Sequence, residues 1–504
     1  MNKKTLGIIL SYLLIAVDII VGILFVPFLL KSLGDQEYGL YKLMLSTASY
    51  LSVLDFGIGG TITRYVVKFR TEQKRKDEEN FLAMGFLIYA LLALIIILIA
   101  FGVAFCIPKI YAVSINPEQF KYAQLIFMLI CGQMAVTLFN HAYNGLLLAY
   151  EKYVYQKIVS IVKILLRVLL LIVLISSTKS AVVIAIVDLA LSFSLVVFNH
   201  FYCKRKLKCK IKLHAWDWKL AKEAGVFTLA ILLQSIINQF NSNVDTIVLG
   251  IYVSTAVISM YSLVLQMFNM YSSLSTAVSS IYLPSLSKAV FAGESDDQIT
   301  DRIIKPSRIQ LVILLLALTG FILFGKQFIN VWVGSEYFEV YLLSCIILIS
   351  ATLELSQNTI TAILKAKNKL HGKTFILGLS TIVNVILTFI LVPKIGALGA
   401  TIGTAFSLVF GYVLVLNFYY HFKIKINMIT YYKKTYKGIL LSAIIACIIG
   451  IPINIYLPLG GWLGFIVKAV IYAIIYFVII YFLGLNDEER NFVSNKIKNK
   501  LRRK

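Results

Sequence analysis

The chain alternates long apolar stretches with short polar breaks along its whole length. An apolar stretch of about 20 residues can cross the hydrocarbon core of a bilayer as an α-helix. Breaks at charged and turn-forming residues separate fourteen such stretches, which predict an all-α integral membrane protein with about fourteen transmembrane helices. The predicted helices begin near Leu6, Tyr38, Phe81, Phe120, Ile158, Ala181, Ala224, Val257, Ile309, Val340, Thr374, Leu398, Gly438 and Trp462.

The composition narrows the class of protein further. Of the 504 residues, 59% are apolar and only 14% are charged, whereas soluble domains are about 45–50% apolar and about 25% charged. This excludes a soluble enzyme, a disordered protein and a secreted disulfide scaffold. The six cysteines lie mostly within apolar stretches and show no metal-ligand spacing. We therefore expect no disulfide framework, no metal site and no cofactor.

The net charge of +24 is explained by membrane topology. If the fourteen spans alternate in direction, most of the 48 Lys and Arg lie in loops on the side that holds both termini. By the positive-inside rule that side is the cytoplasm, so a nucleic-acid partner is not required. The basic segments Cys203 to Lys212 and Lys496 to Lys504 are expected to set the topology and to contact anionic lipids.

A weak internal repeat divides the chain. Shifting Ala149–Lys157 by about 216 residues places it on Lys365–Lys373, and each segment precedes an apolar helix. The repeat predicts two six-helix lobes, which is a common plan for secondary transporters with a substrate path between the halves. The predicted N-lobe, basic linker, C-lobe, final helix pair and basic tail are 1–202, 203–223, 224–420, 421–484 and 485–504.

The loops carry no sign of catalysis. The external loops are short, which disfavours a membrane-embedded polymerase or glycosyltransferase. Gly372, Lys373 and Thr374 end like a phosphate-binding loop, but Lys367 occupies the upstream glycine position. We therefore expect neither an ATPase motor nor an enzyme.

Polar side chains recur at helical spacing within several predicted spans, although exposure to lipid would be costly for them. Such stripes either form hydrogen bonds between helices or line a hydrated cavity. Because predicted helices two and four of the N-lobe and seven and eight of the C-lobe carry them, we favour a hydrated central cavity. The stripe residues on predicted helices seven and eight are Gln234, Asn238, Asn241, Asp245, Gln266 and Asn269.

Ionisable residues within the spans are candidates for function by default. They are Asp18, Asp55, Arg64, Lys163, Arg167, Asp188, Asp245, Glu354 and Lys468. Lys163 and Arg167 are four residues apart on one helix, so they either attract an anionic head group or form structural ion pairs. Arg64 lies at the cytoplasmic end of its helix, where it either snorkels or captures a phosphate. Lys468 is expected to snorkel.

Several motifs carry a resemblance to a known family. They are Pro27 to Gly34, Glu37 to Tyr41, Leu54 to Ile58 with Arg64 and Tyr65, Asp245 to Gly250 running to Tyr261, and Val392 to Ala400. These stretches resemble Wzx-like polysaccharide repeat-unit flippases, which belong to the multidrug/oligosaccharidyl-lipid/polysaccharide (MOP) exporter superfamily.

The resemblance implies a bacterial plasma-membrane protein with two six-helix lobes in a V shape around a cationic, hydrated cavity. Such a protein flips undecaprenyl-pyrophosphate-linked oligosaccharides to the outer leaflet by alternating access, for capsule, exopolysaccharide or O-antigen synthesis. Its expected partners are the bilayer, the lipid-linked substrate, and the polymerase and glycosyltransferases of the pathway. The pyrophosphate would contact Arg64, Lys163 or Arg167, and the sugars would contact the amide stripes.

The sequence is compatible with more than one energy source and more than one substrate. Without a nucleotide-binding motif, transport would use an ion gradient or the consumption of substrate outside. The candidate residues for ion coupling or gating are Asp18, Asp55, Asp245 and Glu354. The alternatives are a multidrug or organic-cation exporter of the same fold, and a flippase for teichoic-acid or peptidoglycan lipid precursors.

Overall fold

The polypeptide is helical almost throughout. A computed structural model describes residues 3–491 and 494–495, and every regular element in that part of the chain is a helix. The α-helices in chain order are α1 (Lys3–Ser49), α2 (Ile58–Thr71), α3 (Arg75–Ile110), α4 (Phe120–Ala149), α5 (Tyr153–Thr178), α6 (Val182–Arg205), α7 (Trp218–Tyr252), α8 (Thr255–Phe291), α9 (Asp296–Trp332), α10 (Phe338–Leu355), α11 (Ile360–Ala366), α12 (Leu370–Ser407), α13 (Leu416–Phe422), α14 (Met428–Tyr436), α15 (Ile439–Tyr456) and α16 (Gly461–Ile479). The predicted all-α class is confirmed. The predicted basic segment Lys496 to Lys504 lies outside the described residues.

Two of these helices are each interrupted once. Gly34 breaks α1 with a φ of 78°, and Gly396 breaks α12 with a φ of 55°. Glycine adopts these left-handed conformations without the steric cost of a Cβ atom. Each break separates two of the membrane spans that the sequence predicts. With these breaks counted, every predicted span has a helical counterpart.

The helices are suited to a bilayer. Ten helical stretches are long and apolar enough to cross a membrane, and two of them, Leu13–Thr71 and Leu370–Phe422, are long because they run through the breaks. Large apolar side chains such as Leu98, Phe105 and Phe418 are exposed on the helix surfaces. So much exposed apolar surface is unusual in a soluble monomer. The protein is therefore a multi-pass membrane protein.

The chain packs as two compact units, Met1–Ser262 and Leu263–Lys504, and the division falls within α8. Helix α7 thus belongs to the first unit, whereas the repeat in the sequence assigns it to a C-lobe that begins at residue 224. The lobes defined by the repeat stay a prediction.

Within the first unit, α2 and α4 approach each other through two glycines. A Cβ atom on Gly145 would lie 2.2 Å from the carbonyl oxygen of Gly59. The hydroxyl of Thr63 also donates a hydrogen bond to the carbonyl oxygen of Gly145, at 3.0 Å. Backbone contact between these helices therefore depends on the absence of a side chain at residue 145.

This contact gives a stability prediction. Gly145→Ala is expected to lower the free energy of unfolding by about 2–3 kcal/mol, because overpacking forces two backbones apart. The thermal unfolding midpoint of the purified protein in detergent measures the effect. Gly102→Ala is the matched control, since a Cβ there meets nothing within 4 Å. Equal midpoints for the two variants would show that the contact contributes nothing.

Candidate functional site

An ion pair lies between α5 and α6 in the first unit. The guanidinium of Arg167 donates from Nε to Asp188 Oδ1 at 2.5 Å and from its Nη2 to Asp188 Oδ2 at 2.9 Å. The hydroxyl of Tyr41 on α1 donates to the same Oδ2 at 3.4 Å. A bidentate pair of this kind has strong geometric specificity. Of the two roles that the sequence left open for Arg167, the structure favours the structural ion pair.

Lys163 lies one helical turn before Arg167 and has a different environment. Its Nζ donates to the hydroxyl of Ser192 on α6 at 3.3 Å. Among the described residues no carboxylate lies within ion-pair distance of this ammonium, and the neighbouring Asp188 is already engaged by Arg167. The three charged groups therefore carry one net positive charge, located on a half-buried lysine.

Buried amides continue this polar region along α4 and α6. Asn140 donates to the carbonyl oxygen of Ser192 at 3.0 Å, and Asn199 donates to Asn140 Oδ1 at 3.4 Å. The hydroxyl of Tyr155 on α5 donates to Asn199 Oδ1 at 3.2 Å. These bonds lock the backbones that carry Lys163 and its ion-pair neighbours. Asn140 of α4 therefore links α4 to α6.

A second cluster surrounds Asp55, one of the predicted carboxylates. Asp55 accepts from the hydroxyl of Tyr89 on α3 at 2.8 Å, and its other oxygen lies 3.0 Å from Nδ1 of His141 on α4. It ends a short 3₁₀ segment, Tyr50–Asp55, and the next two residues are left-handed, with φ values of 52° and 67°. The carboxylate thus ties a break in the helical path to two other helices. Sequence reasoning missed His141, because nothing in the local pattern connects it to Asp55.

Helix α7 contacts this 3₁₀ segment through residues next to the predicted stripe. Gln239 donates to the hydroxyl of Ser52, and Asn243 donates to Gln239 Oε1 at 2.8 Å. Asp245, which belongs to the predicted stripe, is buried and accepts from the hydroxyl of Tyr261 at 2.8 Å. The amides that bond α7 to the 3₁₀ segment, Gln239 and Asn243, are therefore on a helix face next to the predicted stripe.

The remaining stripe residues make local contacts or are partly exposed. Gln234 donates to Asn238 Oδ1 at 3.1 Å within α7, and Asn241 is half-buried. Gln266 is half-buried and Asn269 is exposed on α8, in the second unit. The structure thus leaves polar groups on α7 and α8 accessible.

The other predicted residues are dispersed. Asp18 and Arg64 are exposed on α1 and α2, and the Arg64 guanidinium lies 5.9 Å from the centre of the Tyr65 ring. Glu354 on α10 is half-buried in the second unit, where Lys373 on α12 is its cationic neighbour. Within the first unit, Lys163 and Arg167 lie one helical turn apart on α5.

The fold is similar to that of solved transporters of the MOP superfamily. It is similar to the structure of the lipid II flippase MurJ in an inward closed conformation, with a TM-score of 0.72, 15% identity, and coverage of 94% of this chain and 98% of that chain. An inward-facing MATE family multidrug resistance transporter of the superfamily matches at a TM-score of 0.55 and 12% identity, over 80% of this chain and 95% of that chain.

Residues 3–291 match the polysaccharide biosynthesis protein family, and this is more than half of the chain. The chain therefore belongs to that family, which confirms the resemblance seen in the sequence. An uncharacterized membrane protein of Bacillus subtilis, EpsK, is 23% identical over 491 residues, covering 93% of this chain and 92% of EpsK. The probable flippase AglR of Haloferax volcanii is 27% identical over 183 residues, covering 34% of this chain and 37% of AglR. The match thus spans little more than a third of AglR.

Proposed function

We propose that this protein is a flippase that moves undecaprenyl-pyrophosphate-linked oligosaccharide repeat units from the cytoplasmic to the outer leaflet, for capsule, exopolysaccharide or O-antigen synthesis. Family membership and the MurJ-like fold support transport of a lipid-linked saccharide. The observation that carries the proposal is the net positive charge at Lys163, beside a neutralised ion pair on apolar helices. An anionic lipid carrier is the kind of substrate that such a charge attracts.

In this proposal the pyrophosphate binds the ammonium of Lys163. Arg167 keeps its bond to Asp188 and contributes a positive edge, and Arg64 supplies a second cation where the substrate enters from the cytoplasm. A phosphate oxygen replaces the hydroxyl of Ser192, which holds the ammonium at 3.3 Å in this structure. Charge-assisted bonds to phosphate are stronger than the bond to a hydroxyl.

In this proposal the candidate residues for contacting the sugars are amides on α7 in the first unit and amides on α8 in the second unit. Gln234, Asn238 and Asn241 supply donors and acceptors on the first of these helices, and Gln266 and Asn269 do so on the second. Amides suit hydroxyl-rich ligands because each offers two donors and one acceptor group. We expect replacement of one such amide to have a small effect, since a sugar makes many comparable contacts.

We propose that Asp55 is the foremost of the four carboxylates for coupling or gating. It links a break in the helical path to Tyr89 and His141. Gain of a proton by the carboxylate would weaken both contacts and let the break change conformation. Asp18, Asp245 and Glu354 stay further candidates for the coupling ion.

The proposed orientation places both termini in the cytoplasm of a bacterial cell, in the plasma membrane, because the basic loops belong on that side. The substrate is then made by cytoplasmic glycosyltransferases and consumed by an outer polymerase. The protein itself neither makes nor breaks a glycosidic bond in this proposal.

A leaflet assay in reconstituted vesicles tests the function. A fluorescent polyprenyl-pyrophosphate oligosaccharide is expected to cross the bilayer only when the protein is present. Lys163→Gln is expected to slow this movement roughly ten- to a hundredfold, since a charge-assisted hydrogen bond contributes about 1.5–3 kcal/mol. Lys121→Gln is the control, because it removes the same charge from an exposed position at the start of α4.

Three outcomes would contradict the proposal. Failure of the wild type to move the probe, together with gradient-driven efflux of organic cations, would indicate a drug exporter. Preferred movement of a teichoic-acid or peptidoglycan precursor over repeat-unit carriers would change the substrate. A change in the length of the saccharide would indicate an enzyme.

A further inference from the structure

A lysine on α16 is buried where the sequence led us to expect snorkelling. The side chain of Lys468 is only 4% exposed, and its Nζ donates to Gln327 Oε1 on α9 at 2.9 Å and to Asn454 Oδ1 on α15 at 3.3 Å. The expectation that Lys468 snorkels is therefore wrong. The two amide oxygens replace water around its ammonium.

The two amides are fixed in this orientation by their other ends. Gln327 Nε2 donates to the carbonyl oxygen of Leu459 at 3.0 Å, and Asn454 Nδ2 donates to that of Leu323 at 3.3 Å. Within residues 3–491, no carboxylate comes within ion-pair distance of Lys468. A buried charge without a counterion is costly. The ammonium of Lys468 would therefore be stabilised by an anion that binds nearby.

A cavity of about 390 Å³ lies beside the two amides that hold this ammonium. Gln327 and Asn454 line it, together with Asn330, Ser335 and the exposed Lys326. The cavity thus has one exposed cation, Lys326, and several neutral hydrogen-bonding groups in its lining, and the buried ammonium of Lys468 lies directly behind two of those groups. That combination suits a phosphate group, which accepts several hydrogen bonds at once.

One carboxylate limits where an anion can lie. Gly334 lines the cavity, and the carboxylate of Glu336 packs against it. A Cβ atom added to Gly334 would lie only 2.5 Å from the carboxylate oxygens. An anion is repelled from this part of the rim. It is therefore directed towards the part lined by Gln327 and Asn454, next to Lys468.

An apolar cavity of about 380 Å³ is lined by residues of α9 and α16. Phe324 and Phe328 line it from α9, and Phe465, Ala469 and Tyr472 line it from α16. Lys468 directly precedes Ala469 on the shared helix. The two cavities thus share α9, while α15 lines the first and α16 lines the second. Together they offer a place for an anionic head and a place for an apolar chain.

We propose that α9, α15 and α16 form a binding site for an anionic phospholipid of the bilayer, with the phosphate in the cavity beside Lys326 and Lys468 and an apolar chain in the cavity lined by Phe324 and Phe465. The site lies wholly within the second unit. It requires only that the protein is embedded in a membrane and does not depend on flippase activity.

Native mass spectrometry of the detergent-purified protein tests the site. The probes are phosphatidylglycerol, phosphatidylcholine with the same acyl chains, and inorganic pyrophosphate. Wild type is expected to bind one phosphatidylglycerol at least tenfold more tightly than phosphatidylcholine. Inorganic pyrophosphate is expected to compete poorly, because it lacks the apolar chain.

Two variants separate loss of the charge from loss of the fold. Lys468→Met removes the buried ammonium. The thermal unfolding midpoint of this variant shows whether the substitution also destabilises the fold. Gln327→Glu keeps the shape and supplies an internal counterion, so it is expected to abolish the preference for phosphatidylglycerol in a folded protein. Lys394→Gln is the control, since this exposed lysine lies at the break in α12.

The proposal is overturned if wild type binds both lipids equally, or if Gln327→Glu retains the full preference for phosphatidylglycerol. Tight binding of inorganic pyrophosphate that depends on Lys468 and displaces the lipid would overturn the lipid assignment. It would show that the site takes a free phosphate compound.

Discussion

Replacement of Arg308 by methionine is expected to lower the free energy of unfolding of the second unit by about 3–5 kcal/mol. Arg308 on α9 is 5% exposed, and its guanidinium forms a bidentate pair with Glu489 at 2.7 and 2.9 Å. Loss of one member of a buried pair leaves the other charge without compensation. The unfolding midpoint in detergent should therefore fall clearly below that of wild type.

The remaining donors of this guanidinium make the loss larger than that of one ion pair. They bind the backbone carbonyl oxygens of Lys434 at 2.8 Å, Lys437 at 3.1 Å and Gly484 at 2.7 Å. Arg308 thus joins α9 to the end of α14 and to the chain that follows α16. Lysine cannot reproduce this planar fork, so Arg308→Lys is also expected to destabilise the protein.

Arg302→Met is the matched control on the same helix. Arg302 pairs with Glu294, but its side chain is 55% exposed, so loss of that pair should cost about 0–1 kcal/mol. If Arg308→Met and Arg302→Met unfold at the same temperature, the buried network contributes no more to stability than the exposed ion pair.

A second large effect is expected at the ion pair of the candidate site. Asp188→Ala leaves the guanidinium of Arg167 without its anion on apolar helices, and should destabilise the first unit by about 3–5 kcal/mol. It should also reduce flipping, because the freed Arg167 and Tyr41 no longer hold α5 in place. Unfolding midpoints and the leaflet assay measure the two losses separately.

The double change Asp188→Ala with Arg167→Met distinguishes a structural pair from a pyrophosphate ligand. If the pair is structural, stability should return towards wild type and transport should recover, since Lys163 is intact. If Arg167 binds substrate directly, stability should return while transport stays low. Tyr41→Phe is the control, as it removes the 3.4 Å bond to Asp188 and leaves the ion pair in place.

Hydropathy was sufficient to predict the long helices of this fold, but not the short helices α11, α13 and α14. Apolar runs long enough to span a bilayer are separated by polar breaks, so the number of spans follows from the sequence. The break at Gly34 coincides with the expected boundary between the first two spans. The 3₁₀ segment Tyr50–Asp55 was not predicted, because its residues read as a continuation of an apolar helix.

The candidate site could be predicted only in part. The spacing of Lys163 and Arg167 placed them on one face, and helical periodicity alone gives that result. Their contacts with Ser192 and Asp188 depend on how α5 packs against α6, which periodicity does not specify. The same limit explains why the pairing of Asp55 with His141 was missed. It also explains why Lys468 was expected to reach the membrane surface.

The Arg308 network also bears on biosynthesis. Arg308 precedes its partner Glu489 by 181 residues. During translation, α9 therefore enters the membrane well before the anion that neutralises this guanidinium has been made. The nascent second unit must remain incompletely packed until the helices before Glu489 have been inserted. A chain arrested in this interval therefore carries an unneutralised arginine in its second unit.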